Sequence, residues 1–262
     1  MPRWRPRWFI PIALGFVTSL ACAQALHGES PQAREALDRA VEFMGGARVV
    51  YGMRTLVLAS NNTRHHDGRD VAVPTRTYYA FPLGVRQEVT LNGRRVAMAS
   101  SPAGGTLFTT EGDSPLDHAT RLGVERSAMR NPVVLLKSRV GRGFGAQFEG
   151  TETIEGETVD RLRLNQHDNE TLLLLARADG RPVEVRYGLR AADARKRAIR
   201  VRFADWKTSS SGLRYPHVAR GHENDSQVFV VATDHLDVDV PLSETLFSSE
   251  NEPASVGLRP GR

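Results

Sequence analysis

Residues 198–219, AIRVRFADWKTSSSGLRYPHVA, constrain the fold more than any other stretch, because they spell out two strands and the turn between them. Ile199, Val201 and Phe203 alternate with Arg200 and Arg202, the period of two expected of a strand with one apolar and one wet face. Trp206 closes that arm. Ser209, Ser210, Ser211 and Gly212 supply turn chemistry, and Leu213 and Tyr215 resume the apolar face. Pro216 has no N–H to give to a ladder, which predicts a sheet edge or a strand end there.

The same pattern recurs along the chain. Residues 75–81 carry Thr77, Tyr79 and Phe81 in one phase, and residues 85–91 carry Val85, Val89 and Leu91 opposite Arg86, Glu88 and Thr90. Asn92-Gly93 joins that run to residues 94–99, which include Met98; it is the strongest hairpin signal in the chain, since both turn positions favour positive φ. Residues 55–60, 106–110, 148–154, 158–165, 171–176, 182–187 and 228–233 read as further strands, with turns at Glu155-Gly156 and Asp179-Gly180. The four leucines at 172–175 are apolar in both phases, which suits a central strand covered on both faces. Residues 238–247 lead to a Leu-Phe anchor.

Two segments break the strand pattern. Ser30-Pro31 is an N-cap followed by proline at the first helical position, and Ala33, Ala36, Leu37, Ala40, Val41 and Met44 share a helical face until Gly45-Gly46 ends it. Residues 47–53 add a short helical turn. Later, Ser114-Pro115 offers a second helix start, followed by Leu116, Ala119, Leu122, Met129, Val133, Leu136 and Val140 at mostly helical spacings. Gly123 and Pro132 predict a break or kink in this insert. Gly141, Gly143 and Gly145 form a joint after it, so Leu116, Leu122, Met129, Val133 and Leu136 are candidate lid residues; the alternative is an insert that plugs the sheet permanently.

The start of the chain speaks to compartment. Arg3, Arg5 and Arg7, the apolar run at 8–20 and Ala21-Cys22-Ala23 have the form of a secretory leader. The run is shorter than the roughly twenty residues a bilayer requires. Cleavage near Ala23 or Ala25 gives a periplasmic chain; the alternative is a lipoprotein anchored through Cys22, although Ser19 stands where a lipobox usually has leucine. Cys22 is the only cysteine, so cleavage leaves no thiol for disulfides, catalysis or metal. Losing residues 1–23 removes three arginines and no acid, which takes the formal charge from +5 to +2. The remaining bases alternate with acids rather than forming a run, which argues against a nucleic-acid partner. Residues 24–250 are expected to form one domain, and 251–262, polar and rich in Pro and Gly, a frayed tail.

No motif for chemistry emerges. His222-Glu223-Asn224-Asp225 is followed by Ser226, so the second histidine of a zinc-protease helix is missing, and there is no G-x-S-x-G elbow. His65-His66-Asp67 and His167-Asp168 read as solvated hairpin residues rather than metal ligands. No catalytic residue, metal or cofactor is therefore expected. What remains is an apolar stripe: Tyr79, Phe81, Val89, Leu91, Met98, Leu162, Leu164, Val183, Val185, Ile199, Val201, Phe203 and Trp206 are candidates to line one concave face and bind a ligand there, or alternatively to form a closed core.

The leader, the helix ending in Gly-Gly-Ala, the antiparallel strands, the mid-chain insert, and the strings LLLLARADGRPVEVRYG, IRVRFADWKTSSSGLRYPH and VDVPLSETLF together resemble the periplasmic lipoprotein-carrier (LolA-like) superfamily over most of the mature chain. The resemblance implies a mainly β, α+β fold: an incomplete antiparallel β-barrel, or half-barrel, whose concave face is covered by an N-terminal helix and a helical insert. It further implies a carrier, not an enzyme, for a lipid, a lipoprotein acyl chain or a similar hydrophobic ligand, with a lipid or acylated protein as partner and no cofactor. The chain departs from the family in length and in an Arg/Ala-rich excursion at 188–197, and no individual ligand residue carries over. The same fold also serves envelope stress sensors, which implies as an alternative a non-catalytic module that docks an envelope protein; a hydrolase with an unrecognised site stands third. With no buried charge readable, binding is expected to be insensitive to pH and weakly selective for headgroup.

Overall fold

The structure is a computed structural model and describes residues 28–66, 68–82, 84–91, 93–166, 169–190 and 196–248; the expected leader with its two candidate cleavage sites and Cys22, the Asp67 and His167-Asp168 positions and the expected tail at 251–262 lie outside the described residues. The chain opens with β1 (Gly28–Glu29), α1 (Pro31–Phe43) and α2 (Ala47–Gly52). Six strands follow: β2 (Thr55–His66), β3 (Arg69–Ala80), β4 (Gly84–Leu91), β5 (Arg94–Ser101), β6 (Gly104–Thr109) and β7 (Gly112–Pro115). The insert is α3 (His118–Ala128) and α4 (Pro132–Ser138). Seven more strands complete the sheet: β8 (Gly145–Ile154), β9 (Glu157–Gln166), β10 (Asn169–Ala176), β11 (Pro182–Arg190), β12 (Lys196–Thr208), β13 (Arg214–Glu223) and β14 (Ser226–Val238).

All fourteen strands belong to one open, curled sheet in the order β1-β8-β9-β10-β11-β12-β13-β14-β2-β3-β4-β5-β6-β7. Two meanders, β2–β7 and β8–β14, join where β14 pairs antiparallel with β2, Val231 opposite Asn62 and Leu236 opposite Leu58. β1 adds a short parallel ladder to β8 at the other end. The insert therefore connects the two ends of the sheet.

α1 forms as its sequence dictates. The Ser30 hydroxyl accepts from the Ala33 N–H at 3.3 Å and from the Phe148 N–H at 3.2 Å, so one oxygen caps the helix and ties it to β8. Its face of Ala33, Ala36, Leu37, Ala40, Val41 and Met44 is buried against the sheet. Two sheet turns then meet the helix backbone directly. A Cβ at Gly180, φ +78°, would lie 2.4 Å from the Arg39 carbonyl carbon, and one at Gly45, φ +117°, would lie 2.5 Å from the Gly212 oxygen. The Arg214 N–H donates to the Met44 carbonyl at 3.0 Å. α1 is thus clamped by backbone.

Several details differ from the reading of the sequence. Ser114-Pro115 ends β7 instead of starting a helix; α3 is capped by Asp117, whose carboxylate accepts from the Thr120 N–H at 2.9 Å. Gly123 lies inside α3 without breaking it, on an exposed side with nothing near a would-be Cβ. The break falls at residues 129–131, and Pro132 starts α4. Pro216 sits in an interior strand, opposite Trp206; the β13–β14 ladder takes up its partners from Val218 onward, so the missing N–H costs no bond on that side.

Strand pairing sets the inner face, the one covered by helices. Tyr187 and Ile199, Val185 and Val201, and Phe203 and Ala219 are cross-strand neighbours on it. Asp205, at φ +52°, is a bulge that has no partner on β13, and it turns Trp206 to the same side as Phe203. The Trp206 ring meets Phe43 of α1 edge-on at 5.1 Å. Gly221 lies beneath Phe229: an added Cβ would stand 2.1 Å from the Phe229 Cε1. Gly221→Ala must push that ring away, at an expected cost of about 1–2 kcal/mol. Urea unfolding of the variant alone and combined with Phe229→Leu should show that the two changes are not additive; simple additivity would mean the ring does not depend on the glycine.

Candidate functional site

Helices fill part of the hollow of the sheet, which closes it there. In the closed part Val133, Val134, Leu135 and Leu136 of α4 are all buried, in one apolar cluster with Leu37 and Val41 of α1, Val50 of α2 and sheet residues from β2 to β14. Four consecutive apolar residues suit so short a helix because it is packed on several sides at once. α3 stands nearer the other end of the sheet: the Ser100 hydroxyl of β5 donates to Glu125 at 2.6 Å, and Leu116 lies against Gly105 of β6. Half-buried side chains, among them Tyr187, Phe229, Met98 and Met129, pack against this cluster.

Of the candidate lining residues, Tyr79, Leu162, Leu164, Val185, Ile199, Val201 and Phe203 are buried in this cluster, and Phe81, Met98 and Trp206 pack against it half-buried. The Tyr79 and Phe81 rings stack at 6.2 Å, and burial pushes the Tyr79 phenol pKa up. Register sets Val89 opposite Val96 and Leu91 opposite Arg94, in the phase of Val85; Val89 is half-buried and outside the cluster. Val183 does not share the inner face. It sits where the β10–β11 register shifts and joins a second cluster with Ile154, Val159, Leu174 and Ala176. Of the lid candidates, Val133 and Leu136 are buried in α4, while Leu116, Leu122 and Met129 are half-buried around α3.

α4 is fastened at its C-terminal end by Arg139. Its guanidinium grips both oxygens of Glu29 on β1 at 2.5 and 2.8 Å, Asp38 of α1 at 2.7 Å and the Tyr51 hydroxyl of α2 at 3.2 Å. Burial works against the charge, and the hydrogen bonds to Glu29 and Asp38 overcome it and raise the Arg139 pKa. Next to it the Lys137 ammonium donates to the Tyr51 carbonyl and lies 5.5 Å from the Phe81 ring. Arg139→Gln should free α4 locally: its amide hydrogens should exchange at least about tenfold faster, while those of β9 and β10 keep their rates. Unchanged exchange in α4 would show that its apolar packing alone holds it.

Charge is buried elsewhere too, contrary to the reading of the sequence. Glu184, fully buried on the outer face, is held by Arg186 at 2.5 Å and Arg202 at 2.8 Å. Asp160 lies under α1 between Arg39 at 2.7 Å and Arg177 at 3.4 Å, beside a recess of about 280 Å³. A second recess, about 460 Å³, runs along Gly188 and Ala198 between Glu170, Arg186, Arg200 and Asp225. His65 pairs with Asp70 in the β2–β3 hairpin, and His222 precedes the β13–β14 turn; among the described residues no three metal-ligating side chains converge. No helix of the described residues is long and apolar enough to cross a membrane.

The sequence reading missed Arg130, Arg139, Tyr187 and Phe229. Tyr187 follows Val185 in phase, so the period of two was sufficient to find it, whereas Phe229 lies in a run at 228–232 that is apolar in both phases and that alternation cannot sort. The arginines gave no local signal.

An open curled sheet with its helices on one face is a LolA-like half-barrel. The chain is similar in structure to a LolA superfamily protein from Nitrosomonas europaea, with a TM-score of 0.57 at 14% identity over 82% of this chain and 97% of that one. It is likewise similar to a DUF1329 family protein from Desulfovibrio piger, with a TM-score of 0.56 at 11% identity over 83% and 97%. A domain assigned by its name to outer membrane lipoprotein sorting, from Vibrio parahaemolyticus, gives 0.53 at 12% identity over 82% and 97%. No protein-family model matches the sequence, and no curated protein matches it.

Proposed function

We propose that the protein is a non-enzymatic carrier of the cell envelope that holds a lipid, an acyl chain of a lipoprotein or a similar apolar ligand in the hollow of its sheet. The observation that carries this reading is the extent of the apolar lining: Tyr187, Phe229 and Met98 are half-buried and pack on the same buried cluster that holds α4. Similarity to a lipoprotein-sorting domain supports it. Each methylene that enters such a lining gains roughly 0.8 kcal/mol, so a chain of a dozen contributes on the order of 10 kcal/mol before the cost of association. Room for it comes from displacing α4, which is held to the rest of the fold through its own side chains, while α1 stays clamped by backbone. Export by the leader places the carrier in the periplasm.

Native mass spectrometry of protein purified gently from the envelope is the direct test, together with titration of a neutral fluorophore that brightens in apolar surroundings. A co-purifying lipid and saturable uptake are expected. A protein that carries no lipid in repeated preparations and takes up no fluorophore is not a carrier. The helix-filled closed part favours the second reading, an envelope protein-interaction module whose hollow stays plugged. That reading requires a stoichiometric protein partner retained when inner-face residues such as Ile199 and Phe229 are replaced.

A further inference from the structure

The described arginines that are buried or half-buried follow one rule, and Arg130 breaks it. Each of the others has a carboxylate against it, from Arg39 with Asp160 and Arg86 with Glu88 to Arg139 with Glu29 and Arg202 with Glu184. Arg130, half-buried in the link between α3 and α4, has none among the described residues. Its guanidinium instead lies over the Tyr187 ring, 3.9 Å from the centroid. Desolvation lowers its pKa; Tyr187 offsets part of that, and the like charge of Arg126, one turn earlier, adds to it. A cation is therefore held partly out of water with no anion among the described residues to compensate it, which is costly unless a ligand supplies one.

The place and the geometry fit such a ligand. Tyr187 faces inward beside Ile199, and Met129, next to Arg130, packs on the same apolar cluster, so the cation sits where the apolar lining meets the rim. The guanidinium has five N–H donors and no carboxylate among the described residues to accept them, and its planar fork suits bidentate contact with a carboxylate or phosphate. We propose that Arg130 anchors an oxyanion, carboxylate or phosphate, at the head of the apolar ligand, so that the cargo is an acidic amphiphile. This rests on the carrier reading and narrows it.

The test compares heads on one chain. A neutral fluorophore such as N-phenylnaphthylamine is bound to the full protein and displaced with hexadecanoate, hexadecyl phosphate or hexadecanol. At least one of the acids should displace it at about tenfold lower concentration than the alcohol, and the better acid identifies the head as carboxylate or phosphate. Arg130→Gln should erase that advantage and leave the alcohol unchanged; Arg130→Lys should retain part of it. Thermal melting checks that the variants are folded. If the fluorophore binds and the alcohol displaces it as well as both acids do, or if Arg130→Gln keeps the advantage, the anchor is wrong while the carrier stands. A variant that weakens all three ligands alike marks Arg130 as structural and also overturns the anchor. If the native protein binds neither fluorophore nor lipid, the carrier reading falls and the anchor with it.

Discussion

Replacing Gly180 with alanine should destabilise the protein by about 3 kcal/mol, equivalent to a fall in melting temperature on the order of 10 °C for a chain of this size. Two costs combine. The residue sits at φ +78° in the β10–β11 turn, a conformation that L side chains rarely adopt. Its hydrogen also faces the backbone of α1, where a Cβ would come within 2.4 Å of the Arg39 carbonyl carbon and 2.7 Å of the Ala40 nitrogen. Neither atom can swing aside as the end of a side chain would. The Gly180 N–H to Ala176 carbonyl bond of 2.8 Å and the Arg181 N–H to Asp179 carboxylate bond of 3.0 Å hold the turn in place, so the helix must move. Urea unfolding measures the loss. A variant within about 1 kcal/mol of the parent, the range of an ordinary substitution, would show that α1 is not held in contact with this turn.

Removing the carboxylate of Glu184 should cost about 2 kcal/mol. Breaking a buried ion pair from one side is worth about 3–5 kcal/mol where the partner is left stranded. Arg186 and Arg202 are each about one-third exposed, at 34% and 32%, and keep Glu152 and Glu155 as second partners, so the full figure does not apply. Beneath the pair Leu174 and Val183 form part of the outer apolar cluster, so water entering the gap would also wet that cluster. Glu184→Ala measured by urea unfolding in low and high salt checks this. A loss that vanishes in high salt would place the carboxylate in effective contact with solvent.

The sequence made the local elements legible because each signal was local. Ser30-Pro31 capped a real helix, Gly93 supplies a positive φ of 75° between β4 and β5, and the leucines of β10 divide between the two faces, Leu173 and Leu175 inward, Leu172 and Leu174 outward. Long-range facts left no such mark. Nothing near Asp205 announces a bulge that reverses the phase before Trp206, and nothing near Val183 announces the register shift that turns it outward. Pro216 pointed to an edge because the rule concerns a missing N–H, and which side of a strand needs that N–H is decided by strands distant in sequence. For the site, the apolar lining was readable as alternation. Arg130 and Arg139 were not, since what distinguishes them is the partner that one lacks and the other has, more than fifty residues away for Tyr187 and on three separate elements for Arg139.

The connectivity of the insert has a mechanical consequence. β7 and β8 stand toward opposite ends of the strand order, and the only covalent link between them runs through α3 and α4. The sheet is a bow, and the segment that fills it is also its string. A bow cannot widen at constant string length without drawing the string, so a sheet that spread would load the insert, and α4 with it. Any cargo that pries the strands apart at the rim also pulls on Arg139, and a bond placed between the tips of the sheet would arrest the helix without touching it.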